Sequence, residues 1–336
     1  MSDQFSQASR ALLVLAAVII IIAGMKEAAS LLVPFLLSIF IAVISFPAMN
    51  SLERNGLGAG LSLVIVILVV LTVGFLLYLL IGSSVNDFTR ALPEYQQRIT
   101  EQKTQLFDWL AGYGITVPAF IAGEMFDPNA VMRLLSAFFR NFGSIMANSF
   151  LIFITVIFIL LEAKSFSKKF AQISNDQSEF FSEFSGKLNS YMGIKTWTSA
   201  ITGVLVALWL WVLGVDNAQL WGVMAFFLNF VPNIGSIIAA VPAVLLALVQ
   251  LGSGTAFVVA AGYLVINTVI GSVLEPRFMG KGLGLSTLVV FLSLVFWGWV
   301  LGPVGMLLSV PLTITVKLAL DSKKETRWLG VLLGPA

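Results

Sequence analysis

Residues 229–243 read NFVPNIGSIIAAVPA, and this stretch decides the fold. It lies inside a run, 217–274, that contains no Asp, Glu, Lys or Arg. Pro232 removes a backbone donor and crowds the preceding helical turn, and Gly235 favours a non-helical backbone. In a bilayer, irregular backbone survives only where it is buried in protein or lines water, because unpaired amides are costly there. We therefore predict a broken or re-entrant helix at 229–236 inside a membrane protein.

The same scarcity of charge extends along the whole chain. Charged residues make up 11% of the 336 residues, against about 25% in an ordinary soluble domain. Because a transmembrane helix needs about 20 mostly apolar residues, we predict an all-α polytopic integral membrane protein with about eight crossings. These crossings are 11–30, 31–48, 61–82, 142–161, 196–214, 218–250, 255–274 and 283–318. The runs 218–250 and 283–318 are long, so the sequence leaves open whether each crosses once or includes a re-entrant hairpin.

Composition excludes several classes of function. The chain has no Cys and no His, which excludes thiolate or His₃ metal sites, disulfides, a His general base and a Ser-His-Asp triad. The 19 basic and 17 acidic residues nearly balance, so no nucleic-acid partner is expected. No P-loop or dinucleotide fingerprint is present. We expect a transporter rather than an enzyme, with no cofactor and with the lipid bilayer as its surroundings.

Lys and Arg predict the orientation in the membrane. With eight crossings and the N-terminus inside, 11 Lys and Arg residues fall on inner segments and 8 on outer segments. This excess of positive charge inside predicts cytoplasmic N- and C-termini. This count places Lys195 inside and Arg277 outside. Lys195, at the end of a predicted span, is interpreted as a snorkelling interfacial residue. We divide the chain into N-terminal membrane helices (1–82), a polar amphipathic segment (83–140), a membrane helix (141–161), an amphipathic cytoplasmic segment (162–195), a C-terminal transport core (196–320) and a cytoplasmic tail (321–336).

The polar segment 83–140 carries an apolar heptad seam. The seam residues follow each other at spacings of three and four, interrupted only by Gln102; they are Val85, Phe88, Leu92, Tyr95, Ile99, Leu106 and Trp109. The pattern indicates a helix that lies on the protein or on the membrane interface, or a helix that contacts a neighbouring subunit. The second interpretation, together with many small residues in the spans, predicts a homo-oligomer of unspecified subunit number.

Polar groups beside the predicted break form the candidate solute site. Exposed helix ends and side chains there would offer hydrogen bonds to a polar solute; the candidate residues are Asn229, Pro232, Asn233, Gly235, Ser236 and Asn267. A second break is predicted in WGWVLGPVG at 297–305, as the counterpart of the first. The competing interpretation of either break is a simple kink or a tight loop between two spans.

Glu275 and Arg277 are candidates for coupling or gating. Thr268, Ser272 and Glu275 are spaced four and three apart, which predicts one shared helical face. Glu275 and Arg277 could pair across the turn at Pro276. A chain without His must carry a coupled proton on another titratable group, and a carboxylate is the best one available. The competing interpretation is a surface connector whose charges end a membrane span.

Long motifs in the C-terminal half resemble a known family. These are NFVPNIGSIIAAVPA at 229–243 and LEPRFMGKGLGLSTLVVFLSLVFWGWVLGPVGMLLSVPL at 274–312, with shorter matches at 33–43, 88–95, 127–130 and 201–204. Together they resemble the autoinducer-2 exporter family of bacterial inner-membrane proteins over essentially the whole chain. The family's Pro-Asn-Gly and Glu-Pro-Arg elements correspond to Pro232, Asn233 and Gly235 and to Glu275, Pro276 and Arg277.

The resemblance implies a secondary transporter that exports autoinducer-2, a small polar quorum-sensing signal, at the expense of the proton motive force. Related members are associated with sodium or lithium exchange for protons. A monovalent cation/proton antiporter therefore stays an alternative, and protons or monovalent cations are expected partners. A third hypothesis is a non-transporting oligomeric membrane scaffold built on the seam.

Overall fold

The computed structural model describes residues 7–113, 149–171, 175–232, 234–279, 284–322 and 325–335. No strand occurs among these residues, which confirms the predicted all-α class. The helices are α1 (Gln7–Glu27), α2 (Ala29–Arg54), α3 (Ala59–Gly112), α4 (Ser149–Ala171), α5 (Asn175–Val212), α6 (Ala218–Leu228), α7 (Gly235–Leu251), α8 (Ser253–Asn267), a π-helical segment (Thr268–Leu274), α9 (Glu275–Met279), α10 (Thr287–Asp321) and α11 (Arg327–Leu332).

Five of these stretches are long and apolar enough to cross a membrane. They are Ala29–Arg54, Ala59–Gln102, Asn189–Val212, Ser253–Leu274 and Thr287–Asp321, and Ser149–Glu162, α6 and α7 are shorter apolar helices. Large apolar side chains such as Phe75, Phe150 and Phe257 are exposed on them. Exposure of this kind suits contact with lipid rather than water, so the predicted polytopic membrane fold is confirmed.

The chain forms two compact units. The first comprises 1–50, 150–190 and 281–336, and the second comprises 51–149 and 191–280. Each unit contains one of the two predicted helix breaks: 297–305 lies in the first unit and 229–236 in the second.

In the first unit, α10 turns back on itself at Gly302. Gly302 has φ 69° and ψ −153°, a backbone conformation that side chains other than glycine rarely adopt. Trp297 Nε1 donates to Thr313 Oγ1 at 3.0 Å, whereas a straight helix would hold residues 16 positions apart about 24 Å from each other. The backbone amide of Ser286, just before α10, also donates to Leu333 O at 3.0 Å. The predicted second break is therefore a helical hairpin.

Other helices of the first unit pack around this hairpin. Trp297 and Val300 form a core cluster with partly buried residues of α1 and α2, among them Ile22 and Leu36. The α2 helix also meets α4 through Ser38, whose hydroxyl lies 2.7 Å from Pro34 O and 3.2 Å from Ile152 O.

In the second unit, α6 and α7 form a helical hairpin around the predicted break at 229–236. The backbone amide of Asp216, before α6, donates to Gln250 Oε1 at 2.9 Å, and Gln250 Nε2 donates to Gly214 O at 3.1 Å. The hairpin therefore returns to the end from which it started. At its tip, a Cβ added to Gly235 would overlap the carbonyl of Leu228, so only glycine permits this close approach. The run 218–250 thus doubles back instead of crossing once.

The α3 helix carries the seam along the core of the second unit. Phe88 and Tyr95 are buried in the cluster that α5, α6, α7 and α8 build, and Leu92 and Ile99 pack against it. This part of the seam therefore lies on its own protein chain, as the first interpretation predicted. The side chains of Val85, Leu106 and Trp109 lie outside the described part of the structure. The homo-oligomer stays a prediction.

Candidate functional site

The α5 helix carries four buried polar residues on one face, which we name the α5 polar face. Lys195, Thr198, Ser199 and Thr202 are spaced three and four apart, so they share that face. Their exposed fractions are 4%, 2%, 0% and 2%. The hydroxyls of Thr198 and Thr202 donate back to the helix, to Lys195 O at 3.1 Å and to Thr198 O at 2.9 Å. An ionisable residue buried in an apolar helix is a candidate for a functional site, and on this face that residue is Lys195.

Lys195 forms an ion pair with Glu275. Its Nζ lies 2.7 Å from Oε1 and 2.8 Å from Oε2, so both carboxylate oxygens are engaged. The two side chains are only 6% and 15% exposed. Buried charges of this kind persist only when they are paired, because solvation is lost on burial. Separating Lys195 from Glu275 is therefore energetically costly, because each side chain would be left as an unpaired buried charge.

The π-helical segment sets the position of Glu275. The backbone amide of Glu275 donates to Ile270 O, five residues earlier, which is the bond pattern of a π-helix and a frequent feature of functional sites. This wider turn changes the register that a regular helix would keep. Thr268 and Ser272 are exposed while Glu275 is partly buried. The predicted shared face of these three residues is therefore wrong.

The predicted pairing of Glu275 with Arg277 is also wrong. Glu275 pairs with Lys195, and the side chain of Arg277 is exposed in the short helix α9. The orientation count had placed Lys195 and Arg277 on opposite sides of the membrane. The ion pair places Lys195 and Glu275 at the same end of the second unit, because the α6–α7 hairpin adds no crossing between them.

Asn229, at the tip of the α6–α7 hairpin, reaches the α5 polar face. Its Nδ2 donates to Ser199 Oγ at 3.0 Å, and both residues are buried. Ser199 lies one helical turn from Lys195, so the two predicted elements, the helix break and Glu275, meet the same face of α5. The structure thus brings together Asn229 and Glu275 from the predicted set, through two α5 residues.

The backbone at the break is satisfied within its own turn. The amides of Asn229, Val231 and Gly235 donate to Ala225 O at 2.9 Å, to Leu228 O at 2.9 Å and to Val231 O at 3.2 Å. We had expected helix ends to offer free backbone donors to a solute. These three amides are occupied instead.

The remaining predicted residues are not brought into contact with the α5 polar face by any hydrogen bond between described residues. Gly235 is buried, and Pro232, Ser236 and Asn267 are half-buried. Within the described part of the chain, neither Ser236 nor Asn267 makes a side-chain hydrogen bond to the α5 polar face. Asn233 lies outside the described residues.

Sequence reasoning missed Lys195 and the α5 polar face. Lys195 was interpreted as an interfacial residue at a span end, yet its side chain is buried. The signal was present in the spacing, because Thr198, Ser199 and Thr202 follow it on the same helical face.

Four further buried polar atoms in the second unit have no hydrogen-bond partner among the described residues: Ser62 Oγ, Ser84 Oγ, Trp209 Nε1 and Tyr263 Oη.

The open end of the α6–α7 hairpin is capped by polar residues of α3. Gln102 Nε2, the interruption in the seam, donates to Leu248 O at 2.9 Å and to Val249 O at 3.3 Å. Arg98 donates to Gln250 O. The last carbonyls of a helix have no partner within it, and a positive charge there is favourable. The α3 helix therefore fixes the hairpin's return end while Asn229 fixes its tip.

The amino-acid sequence is similar to those of known proteins along nearly its whole length. A family described as AI-2E family transporter matches residues 15–325. The chain is 43% identical over 324 residues to the AI-2 transport protein TqsA of Escherichia coli K12, covering 96% of this chain and 94% of that protein. It is 41% identical over 334 residues to a putative transport protein of Haemophilus influenzae, covering 97% and 96%. It is 37% identical over 327 residues to the putative transport protein YhhT of Escherichia coli K12, covering 96% and 94%.

Proposed function

The chain belongs to the AI-2E transporter family, and on that premise we propose that it exports autoinducer-2 from the cytoplasm in exchange for protons. A multi-pass protein of the bacterial inner membrane is what the family and the apolar helices support. The identity of the solute is suggested by the relative named as an AI-2 transport protein. The direction of transport and the coupling to protons are our own proposals.

The polar centre of the second unit suits a small polar cargo. Asn229 and Ser199 are buried and bond to each other at 3.0 Å. A solute that replaces this bond must offer hydrogen-bonding groups of its own, because leaving a buried amide unpaired costs about 1–3 kcal/mol. Such a centre rejects apolar molecules of similar size. Pro232, Asn233, Gly235, Ser236 and Asn267 remain proposed members of the same site.

The ion pair between Lys195 and Glu275 is the single observation that carries the coupling proposal. When Glu275 takes a proton, the carboxyl becomes neutral and no longer holds Lys195 by charge. The contact between α5 and the start of α9 then weakens. Since Ser199 lies one turn from Lys195, a shift of α5 also changes the contact with Asn229 at the hairpin tip. Protonation would in this way alternate access to the solute site, with Arg277 proposed to assist at its mouth.

Transport by the purified full-length protein in proteoliposomes tests this proposal. An imposed pH gradient should drive autoinducer-2 flux in the wild type, and Glu275→Gln should reduce the proton-driven component at least about tenfold, since a fixed neutral amide cannot carry a proton. Asp108→Asn, which removes an exposed carboxylate of α3, is the matched control and should keep that component. Wild-type proton-driven flux in Glu275→Gln would contradict the coupling role.

The same vesicles separate the competing functions. A monovalent cation/proton antiporter would move protons when sodium or lithium is added with no organic solute present. A scaffold would show neither flux.

We further propose that both termini face the cytoplasm and that the chain forms a homo-oligomer. Mass measurement of the protein in detergent tests the second point.

A further inference from the structure

A polar cavity that opens to the surface lies in the second unit, away from the α5 polar face, and its charged lining residues are exposed. Its volume is about 450 Å³, and its walls include Asp87, Arg90, Glu94 and Tyr95 of α3 together with Asp216 and Asn217, which connect α5 to α6. Small-molecule sites range from roughly 300 to 1,000 Å³. The cavity therefore has room for a small solute and its hydration water.

Asp216 forms a fixed part of the wall. Tyr95 Oη donates to its Oδ2 at 2.7 Å, Trp221 Nε1 donates to its backbone oxygen at 3.0 Å, and its amide donates to Gln250 at 2.9 Å. These three bonds hold the residue in place on both its main chain and its carboxylate. The second carboxylate oxygen, Oδ1, makes no hydrogen bond to the described residues, so it stays available as an acceptor.

Asn217 presents an unused carboxamide beside it. Its backbone is left-handed, with φ 54° and ψ 37°, and it is the one residue other than glycine with positive φ in the described ranges. Asn at the start of a helix usually caps the first amides with its side chain. Here Asn217 makes no side-chain cap bond, and its backbone oxygen accepts from Leu220 and Trp221 instead. The carboxamide, with one acceptor and two donors, is left at the cavity wall.

The charges around the cavity do not form an ion site. Glu94 is bonded to Arg98 at 2.6 Å, Asp216 is bonded to Tyr95, and Arg90 offsets Asp87 in charge. Within the part of the chain that the structure covers, no group of three acidic residues is placed to hold a metal ion. The wall carries three carboxylates and one guanidinium, and two of the carboxylates are already bonded, to Arg98 and to Tyr95. The remaining donors and acceptors are separated from each other, so they match the hydroxyl groups of a neutral polyol.

We propose that this cavity is a second binding site, separate from the transport centre, for a neutral polyhydroxylated small molecule. Asn217, Asp216 and the Asp87–Arg90 side of α3 supply the hydrogen bonds. The inference deepens the proposed function, and it rests on that function for the physiological ligand, which is then the exported solute itself. The requirement for several hydroxyls follows from the wall alone.

Direct binding to the purified full-length chain in lipid nanodiscs tests the site. The probes are autoinducer-2, the neutral pentose D-ribose, and tetrahydrofuran, which has a similar ring without hydroxyls; the measurement is saturation-transfer NMR. We expect both polyols to bind and tetrahydrofuran not to bind, with little change on adding salt, since the ligand is neutral. Absence of saturable binding of both polyols, equal binding of tetrahydrofuran, or loss of binding in salt would overturn the proposal.

A pair of variants assigns the binding to this cavity. Asn217→Gly keeps the left-handed backbone, removes the carboxamide, and should weaken ribose binding about tenfold without lowering Tm. Unchanged binding in Asn217→Gly would overturn the assignment. Asp108→Asn, which removes an exposed carboxylate of α3 outside the cavity wall, should leave ribose binding intact. Failure of the cavity proposal would leave proton-driven flux unaffected, whereas failure of the transport proposal would leave ribose binding measurable.

Discussion

Lys195 and Glu275 are held together across 80 residues of sequence, with the ammonium between both carboxylate oxygens at 2.7 and 2.8 Å. Lys195 lies near the start of one apolar stretch, Asn189–Val212, and Glu275 directly follows another, Ser253–Leu274. The ion pair therefore joins the ends of two membrane helices that run in opposite directions. Its removal should be felt as a loss of stability as well as a loss of coupling.

Lys195→Met should destabilise the protein strongly, because it leaves the Glu275 carboxylate buried without its partner. Breaking a buried pair in this way costs about 3–5 kcal/mol. Lys195→Met combined with Glu275→Gln removes both charges and should recover much of that loss. Thermal unfolding in detergent measures the difference. A double variant as unstable as the sum of the two single variants would show that the two charges do not interact.

Two glycine substitutions should differ in severity because different physical causes apply. Gly302→Ala meets no atom within 4 Å and is strained only by its positive φ, which costs about 1–3 kcal/mol. Gly235→Ala places a methyl group on the carbonyl of Leu228, so the hairpin tip must open. We expect Gly235→Ala to give the larger fall in Tm and in the yield of monodisperse protein. The reverse order would mean that the tip relaxes easily.

Gln102→Leu should loosen the last turn of α7, because Val249 O loses the Gln102 donor and Leu248 O keeps only the amide of Gly252. An unsatisfied buried group costs about 1–3 kcal/mol. Hydrogen exchange of the amides around residues 246–252 should speed up. Gln105→Leu is the matched control, since Gln105 is exposed on the same helix. Equal rates of amide hydrogen exchange in the two variants would show that Gln102 does not stabilise the end of α7.

The absence of cysteine from the chain allows the membrane path of the second unit to be tested by single-cysteine labelling. Gln219→Cys and Leu251→Cys lie at the two ends of the α6–α7 hairpin and should react with an impermeant maleimide from the same side. Arg277→Cys, beyond the span Ser253–Leu274, should react from the other side. Labelling of Gln219→Cys and Leu251→Cys from opposite sides would mean that this segment crosses the membrane.

The breaks in the helices were predictable because their causes are local. Pro232 and Gly235, close together in one charge-free run, disfavour a regular helix, and Gly302 followed by Pro303 does the same in α10. What the chain does after each break depends on distant partners. The contact between Asp216 and Gln250, which shows that α6–α7 doubles back, joins two polar residues that nothing in the local pattern links.

The position of Glu275 illustrates the other limit of sequence reasoning. Glu275 reaches Lys195 because the segment Thr268–Leu274 is a π-helix, in which each backbone bond spans five residues instead of four. Such a π-helical turn has no reliable sequence signature. A regular helix was assumed, so Thr268 and Ser272 were placed beside Glu275 and Lys195 was overlooked. The spacing of Lys195, Ser199 and Thr202 was readable in advance, but a search by hydropathy passes over it because the stretch Asn189–Val212 is apolar on average.

The reversal at Gly302 also constrains how the chain is first built into the bilayer. The arm 287–301 has 15 residues and is only about 22 Å long, short of a hydrocarbon layer of about 30 Å. It cannot stand alone as an anchor when it leaves the ribosome. We therefore expect the two arms, 287–301 and 303–321, to enter the bilayer together as one folded pair.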